Sequence, residues 1–326
     1  MEKTKPLDID GGVIRIYPLA FESFGVRGMA TYIQTDDVKI VADPGSALGP
    51  RFGLLPHELE YIALARSKDR ILDFCRRADV LTISHYHFDH FIPFFENWTW
   101  IWCSDELAER AYRGKLVLAK DPTSHINVSQ RRRGYLFWKR CTQVADLQIA
   151  DGRSFKFGDT ILRFSKPVPH GPRGSNIGLV VMLEVRVGKT SVVHASDVQG
   201  PIERETLQWL VKEKPSAVLV GGPPLYLKGF RIEEEALELA RQNMIELAKH
   251  VRTIIIDHHL LRSTEYVEFL QPVVAQSKKA GHQIFTASEA IGKKPELLEA
   301  RRRELHAENP MKREWYKQLE SGEIEL

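Results

Sequence analysis

The sequence predicts an α/β fold in one domain, built from two β-rich halves that each carry helices on the outside. Three observations predict it. Short β-branched runs fill the first 45 residues and recur between residues 146 and 197. From residue 200 onward, apolar strands alternate with amphipathic helices, the pattern of a layered α/β chain. Imidazoles and carboxylates recur where the core strands end.

The elements follow in order. "GVIRIYPLAF", "GMATYIQT" and "VKIVADPG" read as strands separated by turn-type residues, the third ending at Asp43-Pro44-Gly45. Residues 55–78 read as a helix, because Leu59, Ile62, Leu64, Ile71, Leu72 and Phe74 share a broad face. "DVLTISHYHFDH" is a buried strand opening into a polar loop. "KLVLAK" is readable as a strand and "INVSQRRRGYLFWKRC" as a basic-aromatic helix. A second β series takes in "LQIAD", "SFKFGD", "TILRFSKPVPHG" and "IGLVVMLEVRVGKTSVVHASD", with "VGK" as a hairpin turn. A helix in "PIERETLQWLVKE", the strand "AVLVGG", a helix over 231–250, the strand "TIIID", a helix over 263–279 and the strand "HQIFTA" complete it. The single domain spans 1–326, with 290–326 a charged helical C-terminal extension and a solvated face.

Composition narrows the function. A hydrophobic fraction of 43% supports a substantial core, and a net charge of +3 gives no global case for a nucleic-acid or membrane partner. No run approaches the ~18 apolar residues of a membrane span, and the N-terminus lacks the apolar stretch of a signal peptide. Cys75, Cys103 and Cys141 are odd in number and widely spaced, which indicates neither a thiolate zinc site nor a disulfide framework. A soluble protein of the reducing cytoplasm, with no membrane partner, is the expectation.

The chemistry lies at five strand ends. Asp43 follows "VKIVA", and His85, His87, Asp89 and His90 follow "VLTIS". His170 follows "ILRFSKPVP", Asp197 follows "SVVHAS", and His258 and His259 follow "TIIID". These side chains suit zinc, iron and manganese. The chain has only 12 histidines, yet residues 85–90 hold three of them. His85 and His87, two apart, can be aimed to one side, while Asp89 and His90 follow around the turn toward a second ion. Two metals ~3.5–4 Å apart can activate a bridging water, and Asp197 is the carboxylate available between them. The plain alternative is a histidine-rich polar loop, against which His170, Asp197 and His258 in order argue. His194 reads as a satisfied core imidazole.

"HYHFDH", with His170 in "PHG", Asp197 in "SD" and a late histidine after "TIII", resembles the metallo-β-lactamase superfamily through most of residues 12–260. "PLAFESFGVR", "DPGSALGPRFGL", "SHYHFDH" and "GGPPLYL" resemble an uncharacterised, mainly archaeal branch of predicted metal-dependent hydrolases. The resemblance implies a four-layer αββα sandwich, two mixed sheets flanked by helices, with a dinuclear site at one rim. It would give His85, His87 and His170 to the first metal and Asp89, His90 and His258 to the second, bridged by Asp197. His258 is preferred to His259 because it directly follows the strand and has Arg262 four residues on, as in tRNA-processing relatives. Asp43 would accept a hydrogen bond from a ligand imidazole.

Departures narrow the choice within that family. Class B β-lactamases usually lack the bridging aspartate, and flavodiiron proteins place an acid where His87 stands. The 61 positions from Asp197 to His258 leave no room for the inserted domain of β-CASP nucleases. Glyoxalase-type thioesterases share the ligand set. The leading expectation is a dinuclear hydrolase whose metal-bound hydroxide attacks a phosphodiester, in nucleic acid or a small nucleotide, with Asp89 and Asp197 orienting the water. Two divalent ions are expected, zinc first, with manganese or iron acceptable. Arg173, beside Ser175 and Asn176, would meet an anionic substrate; Tyr226 and His259 would line its pocket, or "GGPPLYL" is simply a tight loop. The Arg131–Arg140 segment, with Tyr135, Phe137 and Trp138, would grip RNA, or is an amphipathic helix with solvated arginines. The alternatives are thioester or lactone hydrolysis at the same site, and a non-catalytic, metal-stabilised RNA-binding protein.

Overall fold

The computed structural model describes residues 5–212 and 214–320. Strands β1 (Leu7–Ile9), β2 (Ile14–Ala20), β3 (Ala30–Gln34) and β4 (Lys39–Ala42) form an antiparallel meander. Strands β5 (Val80–Ile83), β6 (Leu116–Ala119) and β7 (Asp146–Ile149) then add in parallel. Parallel neighbours need crossovers, and helices α1 (Glu58–Arg77), α2 (Asp105–Tyr112) and α3 (Val128–Cys141) occupy them. Helix α1 starts where the sequence allows it: Glu60 reaches back to the His57 N–H at 2.8 Å and closes a capping box.

The second seven-stranded sheet runs β16-β15-β14-β13-β12-β9-β8. Its antiparallel part is β8 (Ser154–Phe157), β9 (Thr160–Phe164), β12 (Leu183–Val187) and β13 (Thr190–His194). The β12–β13 hairpin turns at Gly188, whose φ of 56° suits glycine. Strands β10 (Val168–Pro169) and β11 (Leu179–Val180) make a separate ribbon. Strands β14 (Ala217–Gly221), β15 (Thr253–Asp257) and β16 (Gln283–Phe285) extend the sheet in parallel, linked by α4 (Arg204–Lys212), α5 (Glu234–His250) and α6 (Tyr266–Lys279).

Three apolar layers hold four structural ones together. Ile16, Ile33 and Ile40 meet Leu162, Leu219 and Ile255 between the sheets. Leu64, Phe74, Leu81 and Phe137 fill the space under α1–α3, and Val218, Met244, Ile254 and Ile256 the space under α5 and α6. The pleat of β15 explains the split: Ile255 faces the opposite sheet, while Ile254 and Ile256 face the helices. Strands buried on both faces read as unbroken apolar runs. The αββα order expected from the sequence is thus present.

Two expectations are corrected. "LQIAD", grouped with the second β series, is β7 and pairs in parallel with β6 at the edge of the first sheet. Its pattern is that of a strand in either sheet, and only the α3 crossover returns it to the first. The C-terminal extension is not a solvated face. It forms α7 (Arg302–Glu308) and α8 (Arg313–Glu320), and Leu298, Leu305 and Leu319 join the core under α1. Arg302 is fully buried on Glu60, at 2.7 and 2.8 Å. Residues 321–326 of that extension, and residues 1–4, lie outside the described residues. Helix α3 is mixed: Phe137 is buried and the Trp138 indole donates to Tyr86 at 2.6 Å, while Arg131, Arg132 and Tyr135 are exposed. Among the described residues no helix is long and apolar enough to cross a membrane.

Helix α1 also buries Lys68, whose Nζ meets only the Ser46 carbonyl among the described residues, at 3.4 Å. Burial pushes its pKa down to about 8, from an ordinary 10.5. The unfolded chain therefore binds this proton more readily, and stability rises with pH between about 8 and 10.5. Lys68→Met is expected to raise the unfolding free energy at pH 7 by about 3 kcal/mol, at about 1.4 kcal/mol per pKa unit. Urea denaturation at pH 7 and pH 9.5 measures this. A variant that is no more stable at pH 7, or that keeps the wild-type rise, would show that Lys68 is not its source.

Candidate metal centre

The polar strand ends converge on one rim of the sandwich. The loop after β5 brings His85 Nε2 within 3.1 Å of His87 Nδ1. From the loop after β13, Asp197 Oδ2 lies 2.5 Å from His170 Nε2, 3.2 Å from His258 Nε2 and 2.9 Å from His259 Nε2. His258 Nε2 is also 3.4 Å from His90 Nε2 and 3.7 Å from Asp89 Oδ2. Four donor groups result, the donor atoms of each within 4.8 Å of one another: His85, His87, His170 and Asp197; Asp89, His90 and His258; Asp43, His85 and His90; and Asp197, His258 and His259. Asp197 belongs to the first and the last and lies 3.2 Å from His258 of the second. Its second oxygen, Oδ1, is buried and has no hydrogen-bond partner among the described residues.

The local backbone is bent to make this approach. Asp43, Ser196, Gln199 and His259 all have φ between 49° and 56°, a conformation non-glycine residues rarely hold without compensation. Gly45 lies so close to the backbone of His90 and Phe91 that a Cβ would not fit there. The "DPG" turn is therefore packed directly against the histidine loop.

The far side of each ring is engaged. Asp43 accepts from His90 Nδ1 at 2.9 Å, from the Ser84 amide at 2.8 Å, and from the Ser84 and Ser196 hydroxyls at 2.7 and 2.5 Å. Ser84 Oγ also meets His85 Nδ1 at 2.9 Å. Asp43 is thereby saturated, and its grouping with His85 and His90 reads as orientation of two rings rather than as a third donor set. Glu22 Oε2 lies 3.0 Å from His258 Nδ1, and Glu22 Oε1 accepts from Arg262 Nε at 2.7 Å.

Charge follows from burial and neighbours. Burial, reinforced by neighbouring imidazoles, holds His85 and His87 well below the usual histidine range, so both are neutral, the ligating form. Burial alone would raise Asp197, but His170, His259 and His258 hold its carboxyl well below the usual range. Asp89 is likewise depressed against burial, by His90, His258 and Arg262. His258 is opposed by burial yet raised to about 10 by Glu22 and Asp197. A proton thus sits between two carboxylates where a cation would balance the same charge. Neutral imidazoles, ionised carboxylates and an unpartnered buried oxygen are a donor set that fits divalent metal ions.

Of the late histidines, His258 alone faces Asp89 and His90, whereas His259 Nδ1 is taken by the Tyr226 hydroxyl at 2.9 Å. Tyr226 also accepts from Arg262 at 3.0 Å. Arg173 stands apart: its guanidinium is exposed and held by Glu203 and Glu205, at 3.3 and 2.8 Å. His194 meets the Met29 carbonyl at 2.9 Å and is a satisfied core imidazole. The sequence reading missed Glu22, Ser84 and Ser196. The signal for Glu22 was an acid inside the otherwise apolar "PLAFESF", directly after a core strand.

Two facing seven-stranded sheets with helices outside and a histidine–aspartate cluster at the shared rim give this chain the architecture of the metallo-β-lactamase fold. The chain belongs to the UPF0282 family. It is 43% identical over 297 residues to a UPF0282 protein of Methanopyrus kandleri, covering 90% of this chain and 100% of that one. It is 39% identical over 313 residues to one of Thermococcus sibiricus, covering 93% and 100%. A solved structure, the metallo-β-lactamase fold protein YhfI from Bacillus subtilis, matches with a TM-score of 0.47 and 10% identity, over 84% of this chain and 95% of that one. No family model matches.

Proposed function

We propose that this chain is a dinuclear metal-dependent hydrolase of phosphodiesters, in nucleic acid or a small nucleotide. The observation that carries the reading is Asp197, which joins two complete donor groups and keeps one buried oxygen unpartnered. His85, His87 and His170 would hold one ion and Asp89, His90 and His258 the other, with Asp197 shared. Two divalent ions, zinc first and manganese or iron also suited to these donors, would supply Lewis acidity and a water acidic enough to react near neutral pH.

The chain's own residues set the stage for that chemistry. Asp43, Ser84 and Glu22 fix the tautomers and tilt of the ligating rings. Arg262 donates to Tyr226, whose hydroxyl donates to His259 Nδ1, leaving His259 Nε2–H to donate to Asp197. This chain of hydrogen bonds keeps Asp197 ionised. Asp89, at 18% side-chain exposure, is more open than the nearly buried Asp197 and is the carboxylate placed to take a proton from an incoming water.

A phosphodiester is preferred to a thioester or lactone because Arg262 lies 3.7 Å from Asp89 and exposed Arg131 and Arg132 on α3 suit RNA, although Arg173 is not available for this role. The three cysteines are free and buried, in keeping with a reducing cytoplasm. The test combines elemental mass spectrometry with assays on bis-p-nitrophenyl phosphate, a thioester and short RNA. Two metals per chain with cleavage of phosphodiesters alone is expected. Cleavage of the thioester alone would move the site to the runner-up chemistry, and RNA binding without turnover would make it a binding protein. A folded chain that refuses added metal would sink the reading entirely.

A further inference from the structure

Beside the metal centre lies a groove of about 590 Å³ lined by Arg51, Phe52, Tyr226, Lys228 and Arg262, among others. Tyr226 connects it to the centre through His259 and Asp197. Among the described residues most cations here are paired, and Arg51 and Arg303 are not. Arg262 pairs with Glu22 at 2.6 Å and Lys228 with Glu234 at 2.5 Å. Behind the groove Arg27 pairs with Glu299 at 2.6 Å, and Arg302 with Glu60 at 2.7 Å. Among the described residues no carboxylate lies within ion-pair distance of Arg51, although Glu265 also lines the groove. Arg51 donates to the Arg262 carbonyl at 3.3 Å, and its Nε is buried without a partner.

The arginine is also held stiff. It opens a tight turn closed by the Leu54 N–H on the Arg51 carbonyl at 2.9 Å, with Phe52 and Gly53 at φ 58° and 72°. Its guanidinium lies 4.5 Å from the Phe52 ring centre and 4.3 Å from that of Tyr226. A guanidinium held against two rings, with one N–H on a carbonyl and Nε–H unused, keeps donors left over and pre-set for a tetrahedral oxyanion. The rings themselves are not base platforms. Phe52 carries Arg303 at 4.3 Å as well, and Tyr226 is stacked with His259 at an interplanar angle of 21°.

We infer that Arg51 binds a second, non-reacting phosphate group of the substrate, next to the bond that the metal centre cleaves. This rests on the phosphodiester reading and narrows it to substrates carrying a further phosphate beside the scissile one. The groove recognises that charge and not a base, so selectivity for base identity at this position is expected to be weak.

The test uses the full chain stripped of metal, so that it does not depend on turnover. Inorganic phosphate, and malonate as a carboxylate dianion, are titrated calorimetrically into wild type, Arg51→Met and Arg51→Lys, with circular dichroism to verify folding. Phosphate binding weakened about tenfold or more in Arg51→Met is expected, as for loss of a charge-assisted contact. Arg51→Lys should recover only part of it, because it restores the charge without the fork; if Arg51→Met fails to fold, this variant carries the comparison. Equal affinity in wild type and variant, or no phosphate binding by wild type, overturns the inference. So does malonate bound through Arg51 in preference to phosphate. None of these outcomes bears on whether the metal-loaded chain is a hydrolase, which the metal and substrate assays decide separately.

Discussion

On the proposed two-ion reading, Asp197→Ala is expected to lower metal content to one ion per chain at most, and to cut ester hydrolysis by more than about a hundredfold. Outer partners of metal ligands typically contribute 10–100-fold to affinity or activity, and a residue touching both donor groups should contribute more. The physical case is in the contacts. One carboxylate oxygen lies within 3.2 Å of His170, His258 and His259, and the other is buried with nothing to accept from. Removing that charge leaves Asp89 as the one carboxylate among the proposed ligands to offset two cations. Asp197→Asn is the sharper control, since it keeps the volume and removes only the charge. Elemental analysis after dialysis, alongside phosphodiester hydrolysis, reads both quantities. Two firmly held metals in Asp197→Ala would show that this residue does not join the ions.

Much of this cluster was legible because side chains that converge on one point must start where the backbone is rigid. Strand ends supply that rigidity, so His85, His87, His170, Asp197 and His258 all stand one to a few residues beyond an apolar run. The residues that orient them left a fainter trace. Glu22 acts across 236 positions on His258, and Ser84 and Ser196 meet Asp43 from opposite sheets. A serine or a glutamate has many reasons to follow a strand, and no local spacing distinguishes this one. The fold shows the same division. Helix and strand periods are local, so the longer elements were readable, while the short β1 and α2 went unread and the β10–β11 ribbon was merged with its neighbours. Sheet membership is not local, which is why β7 was grouped with the wrong half. The charged C-terminal extension misled for a related reason: balanced charge describes a solvated helix and a buried ion pair equally well.

That ion pair carries a large stake in the fold's stability when it is broken from one side. Arg302→Ala is expected to cost about 3–5 kcal/mol, the usual effect of breaking a buried pair from one side. Total stability of a domain is commonly about 5–15 kcal/mol, so the variant should be marginal at elevated temperature. Both partners are 0% exposed, and Arg302 donates to both Glu60 oxygens. Without it Glu60 becomes a buried anion with only the His57 amide, and the carbonyls of Gly49 and Leu54 lose donors at 2.9 and 3.2 Å. A double variant, Arg302→Met with Glu60→Met, should recover part of the loss, because it removes both charges but not the orphaned carbonyls and cap. Urea denaturation of the two singles and the double measures the coupling. A loss below about 1 kcal/mol in Arg302→Ala would show that the extension unfolds independently of the sandwich. The Gly49 and Leu54 carbonyls flank the turn that carries Arg51, so the extension also holds the groove beside the metal centre. In any folded Arg302 variant phosphate affinity should therefore fall while metal content stays at the wild-type value, a separation that a general loosening of the fold would not produce.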